Sequence, residues 1–154
     1  MSDNVRYGII GCGMMGQEHL HNIALLDGAA AGAIYDPDAE MRDEAARIAP
    51  EAAVSGSLDE LVRDPSLDCL LIVSPNHLHV EQLKQIADTR PLPLLVEKPL
   101  FTDPKDRGVL IQLENDYPAP IWVAMEYRFM PPIAAFLEQV EDATGGIRML
   151  TIRE

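Results

Sequence analysis

Basic side chains are scarce in this sequence: 12 Lys and Arg stand against 25 Asp and Glu, which gives a formal charge of −13 and a pI near 4.5. A surface that grips the phosphates of DNA, RNA or an anionic membrane needs a basic patch that this composition can hardly assemble, so no nucleic acid and no membrane is expected as a partner. Cysteine is nearly missing as well. Cys12 and Cys69 stand far apart with no C-x-x-C pairing, which excludes a disulfide framework or zinc ribbon and leaves reduced thiols as the expectation. No stretch approaches the ~18 consecutive apolar residues of a membrane span, and Met1-Ser2-Asp3-Asn4 lacks the basic and apolar regions of a secretion signal. A cytoplasmic location is expected from these two absences. There is no internal repeat and no low-complexity tract. The histidines fall in two pairs, His19 with His21 and His77 with His79, and a helix turns residues two apart to different faces. With no acidic or sulfur cluster beside them, no metal is expected, and histidines at helix starts read first as surface or capping residues.

What the sequence does hold is an ordinary globular mixture over 154 residues, 47% hydrophobic and 24% charged, enough to bury a sizeable core. Short apolar runs stop at turns in a regular order. Val5 to Ile10 ends at the turn Gly11-Cys12-Gly13-Met14-Met15-Gly16, and a helix stripe follows, with Gly28 as its stop. Ala29 to Tyr35 ends at Asp36-Pro37-Asp38 before a helix over 39–48. A short extended piece at 52–54 and a small helix over 58–62 lead to Asp68–Val73, the clearest buried strand, which ends at Ser74-Pro75-Asn76. A helix carrying Val80, Leu83, Ile86 and Ala87, a strand Leu94–Val96 ending at Glu97-Lys98-Pro99, a helix over 104–115 and a strand over 121–124 complete the series. Another amphipathic helix carries Ile133, Phe136, Leu137 and Val140, and Ile147–Ile152 alternates as an exposed strand. Strands alternating with helices at this spacing predict an α/β fold, a Rossmann-type doubly wound parallel sheet with helices on both faces.

Three of the turns carry candidate chemistry. Gly11-x-Gly13-x-x-Gly16 is a weak motif by itself, but it follows a strand, opens a helix and lies 20 residues before Asp36. In that context Gly11 permits the tight turn, Gly13 lets backbone approach a pyrophosphate, Gly16 lets helix and sheet close, and the helix N-terminus offers N–H donors to phosphate. The plain alternative is a tight turn without a ligand. Asp36 at the end of the second strand would accept both ribose hydroxyls of an adenosine and repel a 2′-phosphate, favouring NAD over NADP; alternatively it caps the next helix, a role open to Asp38. An S-adenosylmethionine methyltransferase uses a similar turn, but such sheets carry an acid where Ile9 and Ile10 stand. Lys98, at the end of a buried strand, is either a partly desolvated ammonium beside cofactor and substrate or a surface lysine paired to Glu97. Pro99 fixes the backbone behind it.

In this order the motifs resemble the N-terminal half of the Gfo/Idh/MocA oxidoreductases: the glycine turn with His19 after it, Asp36, Ser74-Pro75-Asn76-His77-Leu78-His79, Glu97-Lys98-Pro99, Tyr127-Arg128-Phe129 with Pro131-Pro132, and Gly145-Gly146-Ile147. The resemblance implies a cofactor site formed by Gly11, Gly13, Met14, Met15, Gly16, Asp36, Ser74, Pro75, Asn76, His79, Glu97, Lys98 and Arg128. Lys98 is implied to be catalytic, near nicotinamide and the substrate hydroxyl. The implied activity is hydride transfer between NAD and a secondary alcohol or ketone, of a sugar, sugar acid or cyclitol. A regulatory dinucleotide-binding module without turnover is the alternative. Ala87 to Pro93 replaces the family's glycine-lysine turn and is expected to affect only an outer loop. The family continues into a second domain that binds substrate, carries a catalytic histidine and often forms an oligomer interface. A dinucleotide-binding domain over 1–124, a linker helix and first strand over 125–154, a homo-oligomer and a catalytically inactive fragment are therefore expected.

Overall fold

A computed structural model of the chain describes residues 4–146. The expected strand over 147–152 lies outside the described residues. The series of strands is β1 (Val5–Ile10), β2 (Ala29–Tyr35), β3 (Ala53–Val54), β4 (Cys69–Ile72), β5 (Leu94–Val96) and β6 (Ile121–Val123). Between them run α1 (Met14–Ala24), α2 (Ala39–Ile48), α3 (Leu58–Arg63), α4 (His79–Thr89) and α5 (Arg107–Asp116), with α6 (Pro131–Thr144) last. All neighbouring strand pairs are parallel, and their order is β3-β2-β1-β4-β5-β6. That order reverses between β1 and β4, the doubly wound arrangement in which a crevice opens outside the carboxyl ends of the strands.

Alternation along each strand divides the core into two layers. Ile10, Leu70, Ile72, Leu94 and Val96 face one way, against Leu58, Leu61, Leu83 and Ile86 of α3 and α4. Ile9, Ile34 and Leu71 face the other way, against Leu20, Ile23 and Ala45 of α1 and α2. Most of these side chains are fully buried, and each Leu, Ile or Val among them contributes about 1.5–3 kcal/mol of transfer free energy. The apolar strand runs are what make the sheet a two-sided interior. At its edge the apolar pattern overstates burial: Trp122 in β6 is 65% exposed.

Caps decide where several helices begin. Asp38 accepts hydrogen bonds from the Glu40 and Met41 N–H groups at 2.8 and 3.4 Å and starts α2. Ser57 accepts from Glu60 N–H at 3.1 Å to start α3. The helix expected from Pro104 opens instead with a 3₁₀ turn, Pro104–Asp106, whose preceding Asp103 accepts from Lys105 N–H at 2.9 Å.

The segment 87–93 is more than an outer loop, which corrects that expectation. Leu92 is buried in the core, its N–H donates to the Tyr117 hydroxyl at 2.9 Å, and that hydroxyl donates to the Leu92 carbonyl at 2.6 Å. The Arg90 guanidinium donates to the carbonyls of Asp64 and Leu67, fastening the loop after α3 to the end of α4. The chain divides into two units, Met1–Ala124 with the whole sheet and Met125–Glu154 with α6. In the second unit Pro131 starts α6, and Gly145 ends it in the left-handed conformation at φ 69°.

Candidate active site

The carboxyl ends of β1, β2 and β4 surround one crevice of about 620 Å³. Gly11, Gly13, Met14, Met15, Asp36, Ser74 and Pro75 all line it. Gly16, Asn76, His79, Glu97 and Lys98 do not, although the turns after β2, β1, β4 and β5 stand side by side in the sheet. Arg128 sits in the second unit, exposed, in the 3₁₀ turn Glu126–Phe129.

The three glycines of the turn have different reasons to be there. Gly11 has φ 105°, and a Cβ on it would lie 2.6 Å from the Ser74 nitrogen. A Cβ on Gly16 would lie 2.1 Å from the Gly11 carbonyl oxygen, so helix and turn close only on hydrogen. Gly13 is needed by neither: its φ is −69°, and a Cβ there would meet nothing within 4 Å. The space above Gly13 opens to the crevice at the start of α1, where no side chain caps the helix and no acid sits in the first turn. The first N–H groups of α1 are thus left for an external acceptor.

Asp36 is fixed before any ligand arrives. One carboxylate oxygen accepts from the Cys12 N–H at 2.7 Å, and the other accepts from the Asp38 N–H at 2.9 Å. Since Asp38 caps α2, the capping alternative for Asp36 is set aside, and its carboxylate keeps lone pairs beyond the two these bonds use. The Arg42 guanidinium donates to the carbonyls of Asp36 and Pro37 at 2.6 and 3.2 Å. Beside Asp36, burial pushes the Cys12 thiol up to about 12, with the carboxylate's charge adding to the effect; burial likewise raises Cys69 to about 11. Neither thiol is a nucleophile at neutral pH. Across the crevice the Ser74 hydroxyl donates to Gln82 Oε1 at 2.6 Å.

At the end of β5 the structure corrects two expectations. Lys98 is exposed rather than desolvated, and it forms no ion pair with Glu97. The Glu97 carboxylate is held instead by His19 Nε2 on α1 at 3.1 Å and by the Lys98 backbone N–H at 3.1 Å, so its attraction is spent elsewhere. The Lys98–Pro99 peptide bond is cis. Two of the four histidines also depart from the surface reading: His19 is 19% exposed and pairs with Glu97, while His79 is wholly buried. His21 and His77 are exposed. The bonds from Cys12 to Asp36 and from His19 to Glu97 carry no spacing signal, because they join residues 24 and 78 apart. Among the described residues no group of three His, Cys, Asp or Glu comes together as a metal site, and no helix is long and apolar enough to cross a membrane.

The family model for the Gfo/Idh/MocA proteins, described as an oxidoreductase family with an NAD-binding Rossmann fold, matches residues 5–125. The chain is similar to an inositol 2-dehydrogenase of Corynebacterium glutamicum (strain R), 32% identical over 148 residues, covering 95% of this chain and 44% of that protein. An inositol 2-dehydrogenase of Leifsonia xyli subsp. xyli is 32% identical over 145 residues, 93% of this chain and 42% of that one. Among solved structures, myo-inositol dehydrogenase of Lactobacillus casei in complex with NAD(H) and myo-inositol superposes with a TM-score of 0.84 at 27% identity, over 93% of this chain and 43% of that one. A levoglucosan dehydrogenase in complex with NADH and levoglucosan gives 0.82 at 25% identity, over 94% and 41%. The chain spans less than half the length of the curated relatives it matches.

Proposed function

This chain belongs to the Gfo/Idh/MocA oxidoreductases, the family with an NAD-binding Rossmann fold, and on that footing we propose that its crevice holds NAD(H) for hydride exchange with a secondary alcohol or ketone of a cyclitol or sugar. The observation that carries this reading is the open space over Gly13. Gly11 and Gly16 are required by the protein's own packing, whereas the packing around Gly13 leaves room for a side chain and this room faces the crevice. The residues fit the cofactor along the sheet. Asp36 at β2 would take the adenosine ribose hydroxyls, and the turn after β1 with Met14, Met15 and Gly16 N–H groups would take the pyrophosphate. Ser74, Pro75 and Asn76 after β4 and Glu97-Lys98 after β5 remain for the nicotinamide half. A bound nicotinamide would supply a hydride acceptor, chemistry that no side chain here provides. The exposed Lys98 ammonium is free to donate to a substrate hydroxyl and to favour negative charge developing on that oxygen.

Asp36 also supports NAD over NADP. Its carboxylate is anchored by two N–H donors and followed by Pro37, so a 2′-phosphate would meet a fixed negative charge. The Arg42 guanidinium beside it is engaged with the carbonyls of residues 36 and 37. A polyol-type substrate agrees with what the inositol and levoglucosan enzymes named above act on. The expected homo-oligomer and cytoplasmic location belong to the same reading, with two free thiols, Cys12 buried and Cys69 half-buried, suited to a reducing compartment.

Titrating the chain with NADH tests the proposal. Nicotinamide emission should rise and shift to the blue, and Gly13→Val should abolish the change while leaving the melting temperature nearly as it was. Unchanged affinity in that variant would defeat the assignment.

A further inference from the structure

His79 opens α4 from a wholly buried position, and its ring joins two turns that are separate in sequence. Nδ1 lies 3.0 Å from the Pro99 carbonyl oxygen, and Nε2 lies 2.9 Å from the Ser74 carbonyl oxygen. Carbonyl oxygens only accept, so a neutral ring donates to one of them and a doubly protonated ring to both. Filling this place in the core needs no nitrogen; a leucine or phenylalanine would do so without the cost of burying two polar atoms. What the imidazole adds is a bridge between the ends of β4 and β5. Ser74 is also the residue on which Gly11 closes, so the glycine turn, the turn after β4 and the turn after β5 form one connected set. On the other side, His19 holds Glu97. The segment Glu97-Lys98-Pro99 is thereby pinned at both ends, with the exposed Lys98 between the two pins.

We propose that His79 is a positioning residue that sets the place of Lys98 and of the nicotinamide side of the crevice by standing between the Pro99 and Ser74 carbonyls and hydrogen-bonding there through its ring. The inference rests on the NAD(H) reading above. It predicts a division of labour along the sheet, because Asp36 and Gly13 follow the ends of β2 and β1, whereas His79 contacts the turns after β4 and β5.

ADP-ribose and NADH separate the two halves of the site. In His79→Leu, NADH affinity should fall roughly tenfold, the order of one lost hydrogen bond, and the blue-shifted emission should be lost, while ADP-ribose affinity stays within about twofold. His79→Gln, which restores an N–H donor at similar reach, should recover much of the NADH affinity and emission. A merely structural role would lower both ligands in proportion and would gain nothing ligand-specific from glutamine. Should the leucine variant not fold, the unmodified chain gives a second readout. A slowly exchanging His79 ring N–H should shift in NMR spectra on adding NADH and stay in place on adding ADP-ribose. Proportional loss of both ligands, no loss of either, or a ring N–H indifferent to NADH would overturn the role of His79. Failure of the unmodified chain to bind either ligand would instead overturn the NAD(H) reading itself, and this inference with it.

Discussion

Gly13 and Gly16 stand three residues apart, and the packing around them separates a fold requirement from a ligand requirement. A methyl on Gly16 would collide with backbone at 2.1 Å, and backbone cannot swing aside as a side chain does. Gly16→Ala is therefore expected to destabilise the chain by about 1–3 kcal/mol, whereas Gly13→Ala should stay within about 0.5 kcal/mol. Parallel urea titrations of the two variants check this, and equal losses would contradict it. Asp36→Ala should narrow the preference for NAD over NADP chiefly by weakening NAD, by about 1.5–3 kcal/mol for bonds to a charged acceptor. Competition of each dinucleotide against bound NADH measures it, and a variant that loses NADP affinity as well would speak against the ribose role. The glycines and Asp36 were legible in the sequence because their spacing follows from one strand-turn-helix unit. That the Asp36 carboxylate is already held by Cys12 N–H was not, since this bond joins two different strand ends.

Elements were legible wherever burial alone dictates a pattern. β1, β2, α2 and β5 fall on the expected residues because a buried parallel strand is a short apolar run and a two-faced sheet alternates its contacts. Segments secured by side chains reaching distant backbone left no such trace. Arg90 at the end of α4 and Tyr117 after α5 bind carbonyls and N–H groups 23 to 26 residues away, so the stretch between α4 and β5, which reads as a loose loop, is tied into the core. His79 bridging Ser74 and Pro99 is of the same kind. Removing the Tyr117 hydroxyl strands both the N–H and the carbonyl of Leu92, so Tyr117→Phe should cost about 1–3 kcal/mol. Because Leu92 precedes β5 while the crevice lies beyond the carboxyl ends of the strands, NADH affinity should hold as the melting temperature falls. A calorimetric scan and an NADH titration on the same sample decide it, and a parallel loss of affinity would show the two ends of the sheet to be coupled.

For the whole molecule, buried and half-buried acids with raised pKa values lower stability at alkaline pH. Burial pushes Cys12 from 9.0 up to about 12, Cys69 from 9.0 to about 11 and Tyr117 from 10.0 to about 12. The unfolded chain releases these protons first, so the folded state binds more protons and stability falls as pH rises. The contribution is fully present below about pH 9 and is lost progressively towards pH 12. Denaturation midpoints at pH 8, 10 and 11 should therefore decline, and a level series would contradict the burial of these groups. The central proposal is that, at the other end of the sheet, the turns after β2, β1, β4 and β5 together hold one dinucleotide. Its most direct test is amide chemical-shift mapping of the labelled chain during NADH titration. The expected result is that Cys12, Met14, Met15, Asp36, Ser74 and Lys98 move together and saturate at one affinity. The contradictory result is an unperturbed crevice, or shifts confined to the separate apolar cavity of about 470 Å³ around Leu100, Phe101 and Tyr117.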